Sequence, residues 1–243
     1  MYTFQDFEAA KVSQKVTGAV QQAIYKHIAS DEYRTALLAD DYDKQQNTTM
    51  TRFVKVLYDF AGRPHVDRFS SNAKICSNFF NRLNTQRMTY SLGNGVSFED
   101  PSVLERLGDS FDTRLRDAAY YALIHGVSYI YWNVDHIHVY KTTEFAPLFD
   151  EETGELKAGV RWWQIDSEKP IMAVLYELDG YTRLRGNKKG KTFEIVQEKR
   201  PYRTEIATIA ASPEPEVVGK ENYGTLPIVP LYGSRLHQST LVG

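Results

Sequence analysis

The chain has one cysteine, Cys76, among 243 residues. A single thiol cannot close an internal disulfide, so no disulfide framework holds this fold, and the composition fits a reducing compartment. No apolar run approaches the ~18 residues that cross a bilayer as a helix. The first ten residues carry Asp6 and Glu8. They lack a basic segment followed by an apolar one, so no secretion signal is expected. Charge of one sign is scarce as well: 29 Lys and Arg against 31 Asp and Glu leave a net charge of −2. That balance excludes a protein whose whole surface grips nucleic acid, and leaves room for a local basic patch. Internal repeats and low-complexity tracts are missing.

What is present is enough to build a core. Hydrophobic residues make up 42% and charged residues 25%, which argues against global disorder. The length suits one or two domains. The chain is rich in aromatics, with 16 Tyr and 12 Phe, types favoured at half-buried surfaces and interfaces.

The first half reads as helical. Over 4–28 there is no proline, and Phe4, Phe7, Val12, Val16, Val20, Ile24 and Ile28 recur mainly at four-residue spacing. The acid-rich stretch 31–47, with Asp40, Asp41 and Asp43, reads as a mobile, solvated connection. After a short apolar run at 53–60, residues 66–91 suit a helix that stops at "LGNG". The clearest helix follows. Asp100 precedes Pro101, an N-cap with proline at the first helical position. Leu104, Leu107, Phe111, Leu115, Ala118 and Ala122 then line one face. The stripe continues through Gly108 and ends at Gly126. Beyond Gly126 the pattern changes to short β-branched and aromatic segments, "VSYIYWNV", "HIHVY", "GVRWWQI", "IMAVLYEL", "YTRLR", "TFEIVQEK" and "YRTEIATI". The separators "DEETGE", "DG" and "GNKKG" are turn chemistry. Residues 212–224 read as a loop. The expectation is an α+β protein, helices first and an antiparallel sheet second. Its divisions fall at 1–48, 49–126, 127–232 and 233–243.

Catalytic constellations are not evident. His136 and His138 lie two apart on one strand face and could bind zinc, but a site needs three or four ligands and no paired cysteine joins them. "GNG" at 93–95 is not a phosphate loop: Phe98 occupies the third glycine position and no Walker lysine follows, so a turn with positive φ is expected. Glu151, Glu152 and Glu155 sit in a solvated hairpin turn. No serine or cysteine sits in a nucleophile elbow. His27, His65 and His237 have no sequence company that assigns a role; His125 suits the C-terminal dipole of its helix. The basic stretch is more distinctive. Arg183 and Arg185 share one strand face, and Lys188, Lys189 and Lys191 crowd the following turn, with Lys199, Arg200 and Arg203 beyond. Such a hairpin suits contact with DNA phosphates or an acidic protein surface, or it simply protects a sheet edge. Alternation sends Trp162 and Trp163 to opposite faces, so one of them is a candidate interface residue unless a second layer buries it.

The order of segments carries a resemblance. "YSLGNGVSF", then "AAYYALIHGVSYIYWNV", then "TTEFAPLFDEETGELKAGVRWW" and "AVLYELDGYTRLR", and finally "YGTLPIVPLYGSRLHQSTLVG" resemble, in succession, the portal proteins of tailed bacteriophages over roughly residues 66–243. The resemblance implies the wing of a head–tail connector: a dodecameric ring at one capsid vertex through which double-stranded DNA is packaged and ejected. Implied partners are other copies of the chain, the major capsid and scaffolding proteins, the terminase and head-completion or adaptor proteins. The implied location is the host cytoplasm during assembly and the virion afterwards. A wing has no active site, cofactor or metal. It also implies that Ser239 caps a first stem helix, with stem, clip and crown beyond Gly243. The alternatives are a minor capsid or adaptor protein, or a nucleic-acid-binding module using the 183–203 region.

Overall fold

The computed structural model describes residues 2–207 and 216–242. It is an α+β protein in which helices precede antiparallel sheets. Helix α1 (Phe4–Ile28) opens on a reciprocal cap: the Thr3 hydroxyl accepts from the Asp6 N–H, and the Asp6 carboxylate accepts from the Thr3 N–H. Its backbone breaks at Lys15, where φ is +62°.

Helix α2 (Asp31–Asp43) occupies the stretch whose acidity suggested a mobile connection. Two things correct that expectation. Ser30 caps the first turn by accepting from the Tyr33 N–H. The acids are also engaged by side chains far away in the chain. Asp40 accepts from His125 Nε2 at 2.8 Å, and Asp43 accepts from the Tyr120 hydroxyl and, at 2.9 Å, from Asn81 Nδ2. Burial pushes the Asp40 carboxyl up, but the hydrogen bond and charge of His125 outweigh it and hold that carboxyl below its usual range.

Helix α3 (Thr48–Arg52) leads into a hairpin of strands β1 (Val56–Tyr58) and β2 (Pro64–Val66). The helix expected from residue 66 begins only at α4 (Phe79–Leu92). At its expected start the Asp67 carboxylate accepts from the N–H groups of Phe69 and Ser70, a local turn that competes with helical bonding. The next expected helix is two: α5 (Pro101–Leu107), with Asp100 accepting from the Ser102 N–H, and α6 (Phe111–His125). Gly108 separates them at φ +81°, ψ 157°, a conformation that only glycine adopts at low cost. Gly126 ends α6 at φ +91°, as its position suggested.

Strands β3 (Val127–Asn133) and β4 (His136–Lys141) form a three-stranded sheet with the last strand, β12 (Ile228–Tyr232), on the outer side of β3. Strands β5 (Phe145–Phe149), β6 (Leu156–Trp163), β7 (Met172–Glu177), β8 (Gly180–Gly186) and β9 (Phe193–Arg200) form a five-stranded meander. Strands β10 (Arg203–Ala207) and β11 (Glu216–Glu221) pair apart from both. The middle of the segment expected as a loop at 212–224 is therefore a strand; residues 212–215 of that segment, like the end of "YRTEIATI", lie outside the described residues.

The five-stranded sheet is covered on both faces. Ala146, Leu148, Val160, Trp162, Leu175 and Leu184 meet Phe7, Ala19, Val20, Ala23 and Ile24 of α1. The other face meets the three-stranded sheet through a layer of tyrosines. Helix α6 closes the far side of the three-stranded sheet, where the Ser128 hydroxyl donates to the Ala118 carbonyl. No helix among the described residues is long and apolar enough to cross a membrane.

One titratable group is locked into this stacking. His27 Nε2 donates to the Thr142 carbonyl at 2.7 Å, and its ring meets Tyr33 and Trp162 edge-on at 5.7 Å each. Burial lowers its pKa below the ordinary 6.5, more than the Thr142 carbonyl and Glu32 raise it. A histidine with a lowered folded pKa binds its proton more readily unfolded, so stability falls as pH drops below about 6.5 and towards the folded value. The melting temperature should therefore fall between pH 7 and pH 5, and His27→Gln should flatten that decline. An unchanged slope in the variant would assign the acid sensitivity to other groups.

Candidate interaction surfaces

Part of the basic stretch is neutralised once folded, while Arg183, Arg185, Lys189 and Lys191 are exposed and enter no ion pair among the described residues. Lys188 pairs with Glu168, Lys199 with Glu177 and Asp179 at 2.8 Å each, and Arg203 with Glu221 at 3.1 Å. The turn is shaped by Asn187, whose side-chain oxygen accepts from the N–H groups of Lys189 and Lys191. Both of those lysines are exposed. Arg183 and Arg185 do share a face, as alternation requires, and Arg185 lies directly across from Glu194.

Trp162 and Trp163 part as predicted. Trp162 is buried in the core under α1. Trp163 turns to the opposite, tyrosine-covered face and is half-buried there, with the Arg161 guanidinium 4.8 Å from its ring. Both faces having a covering layer, neither tryptophan is left bare.

The tyrosine face contains the unexpected chemistry. Arg161 also lies 4.4 Å over the Tyr140 ring. The Tyr140 and Tyr176 hydroxyls are 2.9 Å apart and buried, and the Tyr202 hydroxyl donates to the Glu177 carbonyl at 2.6 Å. Burial raises the pKa of Tyr131, Tyr140, Tyr176 and Tyr202, so these phenols stay protonated. The register carries Arg161 across Val174 to Arg183 and on to Gln197. Arg161 Nε and Gln197 Nε2 are buried without a hydrogen-bond partner. None of Arg161, Tyr140, Tyr176 and Gln197 stands out in the sequence. The available signal was the two-residue spacing of Arg161 and Trp163, which put them on one face.

His136 and His138 end the same face of β4. Their Nε2 atoms are 3.0 Å apart, and His136 Nδ1 meets the Asp135 carboxylate. Across the Nε2–Nε2 contact one ring must donate and the other accept, so the two imidazoles cannot both carry a proton there. Burial, His136 and the charges of Arg114 and Arg161 lower the His138 pKa. No group of three His, Cys, Asp or Glu among the described residues is placed to hold a metal ion. The "GNG" segment is a turn, with Gly95 at φ +76°. The Gly93 and Gly95 N–H groups donate to the Thr89 and Leu92 carbonyls, and the adjoining Val96 N–H donates to Asp112 at 3.2 Å.

A second surface is apolar. Every residue of β1 and β2 is exposed. Phe60 and Phe69 are 106% and 100% exposed, and Phe53, Ile75, Phe79 and Tyr90 extend the series. Grooves of about 540 and 380 Å³ run along α4, both bounded by Gln86 and Tyr90. Isolated exposed apolar side chains are ordinary, but this many large ones within residues 53–90 make the segment a candidate association surface.

Compared with known proteins, the chain matches no family model and no curated protein.

Proposed function

We propose that this chain is a structural, non-catalytic virion subunit, the wing of a tailed-phage portal ring. The observation that carries the reading is the series of exposed aromatics Phe53, Tyr58, Phe60, Phe69, Phe79 and Tyr90, in and around the β1–β2 hairpin and α4, which a single copy leaves against water. Burying a phenylalanine side chain stabilises by roughly 1.5–3 kcal/mol, so a neighbouring copy covering this segment supplies a large drive to associate. The order of segments, from the turn at Gly95 through the α6–Gly126–β3 passage to the proline-bracketed β12, supports the same reading. On it the chain sits at one capsid vertex, assembles in the host cytoplasm with major capsid and scaffolding proteins, and then meets terminase and head-completion proteins. Double-stranded DNA passes through the ring rather than along this region.

Gold-labelled antibody against the chain, applied to purified particles, tests the proposal. Label at a single vertex is the expected result. Label spread over the shell fits a minor capsid protein instead, and absence from the particle rejects a virion role.

A further inference from the structure

Among the described residues, no carboxylate forms an ion pair with Arg161 or Arg183. They flank Val174 in one cross-strand row, two strand spacings apart, or about 10 Å. The ion pairs among the described residues engage Lys188, Lys199 and Arg203 but pass both of these arginines by. Arg161 Nε and Gln197 Nε2, at two points of the row, are buried donors without acceptors. The charges of both guanidiniums act on Tyr176 and oppose the larger upward push of burial on its pKa. The other titratable groups nearby do not supply a counter-charge. The tyrosines stay protonated, Asp135 is held by His136, and Glu194, across from Arg185 in the register, forms no ion pair with either arginine.

Stacking holds the guanidiniums in place without satisfying them. Arg161 lies against Tyr140 and Trp163, and Arg183 lies 5.6 Å from the Tyr181 ring. Cation–π contact compensates part of the desolvation and leaves the N–H edges free. A partly buried cation with unmet donors is costly, and an incoming oxyanion relieves that cost.

We propose that the Arg161–Val174–Arg183 row is a seat for one carboxylate, an Asp or Glu side chain on an exposed segment of a protein partner, with Gln197 as a further donor. The planar fork of arginine matches a carboxylate in two parallel hydrogen bonds. A nucleic-acid backbone fits less well. It wants a track of free cations, whereas Lys188, Lys199 and Arg203 are already paired with Glu168, Glu177, Asp179 and Glu221. The seat stands on its own geometry and does not depend on the portal reading.

The test is a titration of the protein with hexaglutamate peptide, read by NMR at the arginine Nε–H groups. The Arg161 and Arg183 signals shift together and saturate. Arg183→Ala, at an exposed position, weakens binding about tenfold or more. Arg161→Lys does the same although it keeps the charge, while Lys189→Ala changes affinity by less than about twofold. No shift at about 10 mM peptide, in the weakest range of specific binding, overturns the seat. So does an equal loss in Lys189→Ala and Arg183→Ala, which reports surface charge alone. Tighter binding of a short DNA duplex with a steep salt dependence overturns it in favour of nucleic acid.

Discussion

Gly233→Ala will destabilise the protein by about 3 kcal/mol, at the upper end of what overpacking costs, and lower its melting temperature by roughly 6–12 °C. A Cβ at Gly233 would lie 2.1 Å from the Ala122 carbonyl oxygen, 2.4 Å from its carbon and 2.7 Å from the Leu123 Cα. These are backbone atoms of α6, which cannot swing aside as a side-chain end can. The close approach has a purpose. The last carbonyls of a helix have no partner within it, and the segment after β12 supplies partners here. The Ser239 hydroxyl donates to the Ile124 carbonyl, the Thr240 N–H to the Leu123 carbonyl at 3.0 Å, and the Gly233 N–H to the Gly126 carbonyl at 3.0 Å. Prying Gly233 from α6 disturbs all three. Gly224 is the control, because a Cβ there meets nothing within 4 Å, and Gly224→Ala should stay within about 0.5 kcal/mol of the parent. Thermal melts of the two variants decide the matter: if they unfold at the same temperature, the docking of 233–240 on α6 is not a stabilising feature.

Phe60→Ser combined with Phe69→Ser will leave the melting temperature of the single chain unchanged and abolish the association proposed for this segment. Both side chains are fully exposed, so removing them strips no contact from the folded copy. At an interface, buried aromatic anchors commonly contribute about 2 kcal/mol or more each, about 30-fold in affinity per residue. Because a ring repeats the same contact at every subunit boundary, the loss compounds around it. Sedimentation velocity over a range of concentrations, run beside thermal melts, separates the two effects. Unchanged association would remove the segment from the interface. A fall in melting temperature comparable with a core substitution would show that these residues pack within their own chain.

Much of the fold was readable because its signals are local. Asp100 before Pro101, Gly126 at the end of an apolar stripe, and turn chemistry between β-branched runs act on the few residues around them, and each lies where the structure places an element boundary. The alternation that separates Trp162 from Trp163, and that aligns Arg183 with Arg185, is likewise a property of extended backbone alone. The failures share a cause. Asp40 and Asp43 looked solvated because their partners, His125 and Tyr120, are distant in the chain. The stripe across Gly108 looked continuous because side-chain spacing is blind to a single φ of +81°. Residues 66–78 looked helical until Asp67 turned its carboxylate onto the following N–H groups.

The candidate surfaces divide in the same way. The basic residues were visible as a cluster, but the pairing of Lys188, Lys199 and Arg203 with Glu168, Glu177, Asp179 and Glu221 follows from strand register and turn shape. The carboxylate seat was hidden, since Arg161, Arg183 and Gln197 lie on three different strands and become neighbours only when β6, β7, β8 and β9 align. Composition and local pattern decided which segments became helix or strand and which side chains share a face. Which face each layer covers, which charges find partners and which donors are left over were decided by long-range packing. Those outcomes depend on residues brought together across many turns of chain, and no short window of sequence contains both members of such a pair.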